Sequence, residues 1–353
     1  MYSVVRKDVI STQYLRGFAA LAVVYDHMFS NRIMENLGRY SFGLWGVDIF
    51  FVISGFVMWM TTENSVKDPK SFKARRVYRI YPMYWVALII WVTSRYIFPD
   101  QFNNRDVSIS SLFQSALLIP HYHLVFKNMI FPILIPGWTL QFEMFFYFLF
   151  FLCLFIKNVN LRLYGLSAVI LSLVALGSLY RGADARAIVY TSPLLLEFLA
   201  GVWIASRLSQ VKTTPKTPAI TVIMLALVTL IVPEQSNTPD FRRFIMMGLP
   251  SIAIFYCFTS TEQYLSKYPI RFMMLLGDIS FSLYLIHSIE IGVIAVLWHK
   301  AVGGGGSIFE SMMFAIVGIA GSIAAAIILF YYVEKPILSL RKKTATPRVA
   351  AYA

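Results

Sequence analysis

The chain has 353 residues, of which 58% are hydrophobic and only 14% charged, against about 25% charged in a soluble domain. That composition excludes an ordinary soluble enzyme and places the chain among all-α, polytopic integral membrane proteins. The net charge of +13 does not point to nucleic acid, because the Lys and Arg sit in short segments between apolar runs, where topology signals belong.

Apolar windows of about 20 residues predict ten spans, near 11–30, 41–60, 81–98, 138–156, 163–180, 187–206, 219–232, 244–260, 273–298 and 308–333. The stretch 111–120 is too short to cross and reads as an interfacial or re-entrant segment. With both termini cytoplasmic, twenty Lys and Arg fall on inner segments and ten on outer ones, which is the bias the positive-inside rule requires. Arg6 and Lys7 precede the first run, but Arg16, Asp26 and His27 lie within it and no small-residue cleavage site follows, so it reads as a retained span. Residues 1–338 form one membrane domain and 339–353 a basic cytoplasmic tail; no internal repeat is evident. Cys153 and Cys257 lie in apolar runs without metal or disulfide spacing, and His121 and His123 alone make a weak metal signal, so no metal is expected.

Ionisable groups inside the spans carry the functional signal, since each costs about 2.5–3.5 kcal/mol at mid-bilayer on insertion scales. Arg16 and His27 in the first span are eleven residues apart, within about 20° of one helix face and about 16 Å apart along the axis. Asp48 and Ser54 follow in the second span, Ser54 in a Ser-Gly pair that also suits close helix packing. Between spans two and three, Arg75, Arg76 and Arg79 lie on one helical turn, suited to a polyphosphate or to a membrane anchor. Trp138 and Glu143 open the fourth span. In the ninth, Tyr284, His287 and Glu290 recur every three residues on one face. Glu197 and Glu334 complete the carboxylates at membrane depth.

In these residues the chain resembles the membrane acyltransferase-3 family, in particular its exopolysaccharide O-acetyltransferase branch. The resemblance rests on Leu15-Arg16-Gly17 with His27, Gly46-Val47-Asp48 leading to Phe51-Val52-Ile53-Ser54-Gly55-Phe56, Arg76 and Arg79 before Ile80-Tyr81-Pro82, Trp138-Thr139-Leu140 with Glu143, and Ser282-Leu283-Tyr284-Leu285-Ile286-His287. Asp26 ahead of the histidine and the absence of a proline two residues after His287 depart from the pattern. The resemblance implies a ten-helix enzyme of the bacterial inner membrane. Such an enzyme takes an acyl group from cytosolic acyl-CoA, chiefly acetyl-CoA as co-substrate, and places it on a hydroxyl of a polysaccharide or lipid-linked sugar. It implies a catalytic His27 with Arg16 and Asp48 in the same site, Arg76 and Arg79 on the CoA side, and association with membrane lipids and polysaccharide-biosynthesis partners. Arg75 joins the CoA-binding set on its place in the cluster, and Ser54, Trp138, Tyr284 and His287 are expected as substrate-binding or structural polar groups. His27 is expected to act as general base with Asp48 or Glu143 orienting its ring, or to carry the acyl group transiently. The alternative reading is a transporter or lipid-linked glycan flippase whose buried charges line a pathway.

Overall fold

The computed structural model describes residues 9–29, 43–63, 69–97, 107–179, 182–207, 240–303 and 307–344. The expected span at 219–232, Arg6, Lys7 and residues 345–353 of the tail lie outside them. All regular structure among the described residues is helical: α1 (Ile10–Phe29), α2 (Trp45–Thr62), α3 (Pro69–Ile97), α4 (Ile109–Ala116), α5 (Gly137–Cys153), α6 (Val159–Leu179), α7 (Ala185–Tyr190), α8 (Leu195–Ser206), α9 (Phe241–Thr259), α10 (Glu262–Leu265), α11 (Arg271–Val302), α12 (Ile308–Leu329) and α13 (Lys335–Thr344).

Six stretches are long and apolar enough to cross a membrane: Trp45–Thr62, Val159–Leu179, Ala185–Ser206, Phe241–Thr259, Arg271–Val302 and Ile308–Leu340. Helix α5, at 17 residues, is apolar but shorter. Helices α1 and α3, of 20 and 29 residues, are long enough to span, but the polar and ionisable side chains they carry keep them out of the six. The arginine cluster belongs to α3 itself, one helix running through Pro82. The segment 111–120 is divided, with α4 ending at Ala116 and a turn following at Leu117 and Leu118, where Leu118 takes φ 57°.

Small residues set the spacing of the central helices, as expected where lipid supplies no hydrophobic drive for association. A Cβ added at Gly55 would stand 1.9 Å from the Phe198 carbonyl oxygen, and one at Gly201 2.0 Å from that of Val52, so α2 and α8 touch backbone to backbone. Helix α1 meets α11 in the same way, Gly17 against Leu276 and Gly277 against Gln13. Gly55→Ala is therefore expected to force α2 from α8, costing at least about 1–3 kcal/mol, read as a lower thermal midpoint of the detergent-purified protein; an unchanged midpoint would show that the two backbones can part freely.

Two π turns interrupt the ladder of hydrogen bonds, Phe244–Gly248 within α9 and Phe330–Glu334 joining α12 to α13. Each lies beside or contains a buried ionisable residue, Arg243 in the first case and Glu334 in the second. The start of α9 is fixed by Asp240, whose carboxylate accepts the Arg243 backbone N–H at 3.0 Å.

Candidate active site

A cavity of about 100 Å³ lies among α1, α2, α3, α5 and α11. Arg16, Arg76 and Arg79 line it together with a single carboxylate, Glu143. Helical spacing on α3 delivers Arg76 and Arg79 to the same wall. Arg75 turns aside and donates to Ser71 Oγ at 3.1 Å, so the three arginines expected as one cluster divide two to one.

The Arg76 side chain is buried between the rings of Phe72 and Tyr147, 5.6 and 5.5 Å from their centroids. Its Nη2 reaches Thr61 Oγ1 at 3.4 Å, and its buried Nε finds no hydrogen-bond partner among the described residues. A guanidinium held with donors to spare fits an anionic group entering the cavity. Arg16 is steadied from its own helix: its Nη1 donates to Gln13 Oε1 at 3.2 Å, while Gln13 Nε2 donates to Asp278 Oδ1 at 2.8 Å. Glu334, whose carboxylate accepts from Ser282 Oγ at 2.6 Å, interacts electrostatically with both Arg16 and Arg79.

Ser54 Oγ donates to Glu143 Oε1 at 2.8 Å, and Tyr147 donates to the same oxygen. Tyr284 lines the cavity; its hydroxyl donates to the Pro136 carbonyl and lies against Thr139 Oγ1, both at 2.9 Å, tying α11 to the start of α5. The ring of Phe50 stands 5.8 Å from that of Tyr284.

Beyond Tyr284 comes His287, ring centroids 5.8 Å apart, and against His287 stands His27, centroids 4.5 Å apart with the rings at 77°. The His27 Nδ1 lies 2.9 Å from the Val23 carbonyl oxygen. A carbonyl only accepts, so Nδ1 carries the hydrogen and Nε2 the lone pair.

This arrangement corrects the expectation that Asp48 or Glu143 orients His27. Asp48 is fully buried and its Oδ2 accepts from Arg243 Nη2 at 2.8 Å, with side-chain exposures of 0% and 1%. Glu197 lies beside the same pair, and the guanidinium packs over the Trp138 ring at 5.3 Å. Trp138 thus meets an arginine and the ring of Phe51. Glu143 serves Ser54 and Tyr147, leaving the Val23 carbonyl and the His287 ring as the groups that hold His27. Arg243 was counted in the sequence as an outer-loop charge; the signal that could have found it was Asp48 itself, a carboxylate at membrane depth in need of a cation. Asp26 accepts from the backbone N–H of Gly43 at 3.3 Å, tying α1 to the chain just ahead of α2. His123 Nδ1 accepts the N–H groups of Val125 and Phe126 and so shapes its own loop. Among the described residues, no three of His, Cys, Asp and Glu gather as a metal site.

The fold and site define a helical membrane protein with a cationic internal cavity and, behind the Tyr284 that lines it, two imidazoles in contact, His287 buried and His27 partly open. The family model of the acyltransferase domain matches residues 9–331, and the chain belongs to this acyltransferase-3 family. It is 32% identical over 309 residues to the exopolysaccharide production protein ExoZ of Rhizobium meliloti, covering 85% of this chain and 91% of that protein. A putative acetyltransferase of Acidianus two-tailed virus is 25% identical, over 82% of this chain and 86% of its own length. The peptidoglycan O-acetyltransferase OatA of Listeria monocytogenes is 26% identical over 80% of this chain, which spans 49% of the longer relative. No solved structure matches the chain.

Proposed function

We propose that the protein is an O-acetyltransferase of the bacterial inner membrane that moves an acetyl group from cytosolic acetyl-CoA to a hydroxyl of a polysaccharide or lipid-linked sugar. The observation that carries this reading is the order of groups along one helix. Arg16 opens into a cavity walled by Arg76 and Arg79, and His27 stands eleven residues on against a second imidazole. Ten spans with both termini in the cytoplasm complete the reading and put the arginine end on the side where acetyl-CoA is made.

The chemistry follows from what these residues can do. Arg76 and Arg79 hold phosphate oxygens by charge-assisted hydrogen bonds at the cavity mouth. The rise from Arg16 to His27, about 16 Å at 1.5 Å per residue, matches an extended pantetheine arm of about 15–20 Å. His27 Nε2 takes the proton of the acceptor hydroxyl while that oxygen bonds to the thioester carbonyl carbon. As the C–S bond breaks, His27 returns the proton to the departing sulfur. The resemblance to an exopolysaccharide production protein and to a peptidoglycan O-acetyltransferase supports a glycan as acceptor.

Acetyl transfer by the purified protein from labelled acetyl-CoA to glycan tests this directly. Arg76→Ala is expected to raise the KM for acetyl-CoA by about 10- to 100-fold, the loss of one hydrogen bond to a charged group. Absence of label transfer, or an Arg76→Ala KM equal to that of the wild type, would overturn the donor assignment.

A further inference from the structure

His287 is fully buried, and the reaction as written does not use it. Its Nδ1 lies 2.6 Å from the Tyr284 carbonyl oxygen, which fixes the hydrogen on Nδ1 and leaves the lone pair on Nε2. That Nε2 is buried and has no hydrogen-bond partner among the described residues. A buried acceptor left unmet costs about 1–3 kcal/mol, and such a group calls for a reason.

The neighbour of this ring is His27, edge to face at 4.5 Å and locked in the same tautomer. His27 is partly open, whereas His287 has no exposure. An acceptor can thus reach the first imidazole and not the second. Two of the carboxylates that could meet a protonated His27 are committed elsewhere, Asp48 to Arg243 and Glu143 to Ser54 and Tyr147, while Glu290, one turn on from His287, stands against Gly321 of α12 with its Oε2 unbonded among the described residues.

We propose that His287 is the positioning partner of His27, a neutral imidazole that steadies the positive charge on His27 while the acceptor's proton resides there. The inference rests on the acyltransferase reading and deepens it. His287 gains no net proton: the hydroxyl proton passes to His27 Nε2, the new O–C bond forms, the C–S bond breaks, and the proton leaves with sulfur. Charge appears on His27 only between those events, and the face or lone pair of the second ring meets it. A carboxylate in that place would form an ion pair and hold His27 protonated at rest, whereas a neutral ring leaves the base free to accept.

The test separates the two nitrogens. In His287→Asn the side-chain amide stands where Nδ1–H stands and keeps the bond to the Tyr284 carbonyl, but nothing replaces Nε2. In His287→Gln an amide reaches the Nε2 position. The expected result is a kcat lowered about 10- to 100-fold in His287→Asn, with thermal midpoint and both KM values near those of the wild type, and at least partial recovery in His287→Gln. A merely structural histidine would give the opposite order, Asn active and Gln impaired. Wild-type kcat in His287→Asn beside an inactive His27→Ala would overturn the partnership and leave the acyltransferase reading standing. A wild-type protein that transfers no acetyl group would overturn both.

Discussion

Replacing His27 by alanine is expected to lower O-acetyl transfer by at least about 100-fold, the usual worth of a general base, without lowering the amount of protein in the membrane. Among the described residues the side chain makes one hydrogen bond, to the carbonyl of Val23 in its own helix, and that carbonyl already serves the α-helical ladder. Removing the ring therefore leaves no unpaired ion and breaks no hydrogen bond between helices; it gives up only the ring contact with His287. What is lost is a lone pair on Nε2, at the end of the helix whose other end presents Arg16 to the cavity. The measurement is the acetyl content of surface glycans in cells making equal amounts of wild-type or variant protein. Unchanged acetylation with normal insertion would remove His27 from the chemistry and bring forward a reading in which the buried charges line a transport path.

Arg243→Met should have the opposite profile, a large loss of folded protein. Its guanidinium is the cation for Asp48, with Glu197 beside it, and all three lie at the contact of α2, α8 and α9. Removing one member of a buried ion pair leaves a charge without compensation and typically costs about 3–5 kcal/mol. The variant is expected to aggregate on extraction or to melt well below the wild type. Adding Asp48→Asn should recover part of the midpoint, because Asp48 is then no longer a carboxylate without its cation and Glu197 no longer has a second carboxylate beside it. A wild-type midpoint in Arg243→Met alone would show that this ion pair does not hold the three helices together.

The contrast between these variants marks what could be read from the chain. The helices were legible because lipid demands unbroken apolar runs: among the described residues most helix bounds fall within a few residues of the windows, and six helices are long and apolar enough to cross a membrane. Helix α3 began earlier than its apolar window because the Lys and Arg residues ahead of that window are good helix formers too. Which ionisable groups share a face was legible too, since helical phase is set by spacing alone: Arg76 and Arg79 on one wall, Tyr284 and His287 in sequence along α11. Pairing between helices was not legible. Asp48, Glu143 and His27 were expected at similar depth, and depth does not say which neighbour a side chain faces. Only the packing of α9 against α2 gives Asp48 to Arg243, and only the approach of Gly17 to α11 brings His27 to His287.

The π turn after Arg243 carries a consequence of its own. Such a turn holds one residue more than the regular α-helical register needs, so it acts as a phase shift of about 100° between the helix before it and the helix after it. Arg243 points at Asp48 on one side of that shift, while Ile254 and Phe255 bury themselves on the other. In an uninterrupted helix the arginine and that apolar pair could not both face their present partners. The extra residue in 244–248 thus lets one continuous rod serve two orientations, and deletion of a single residue there would set electrostatic pairing against core packing while leaving every side chain outside the turn unchanged.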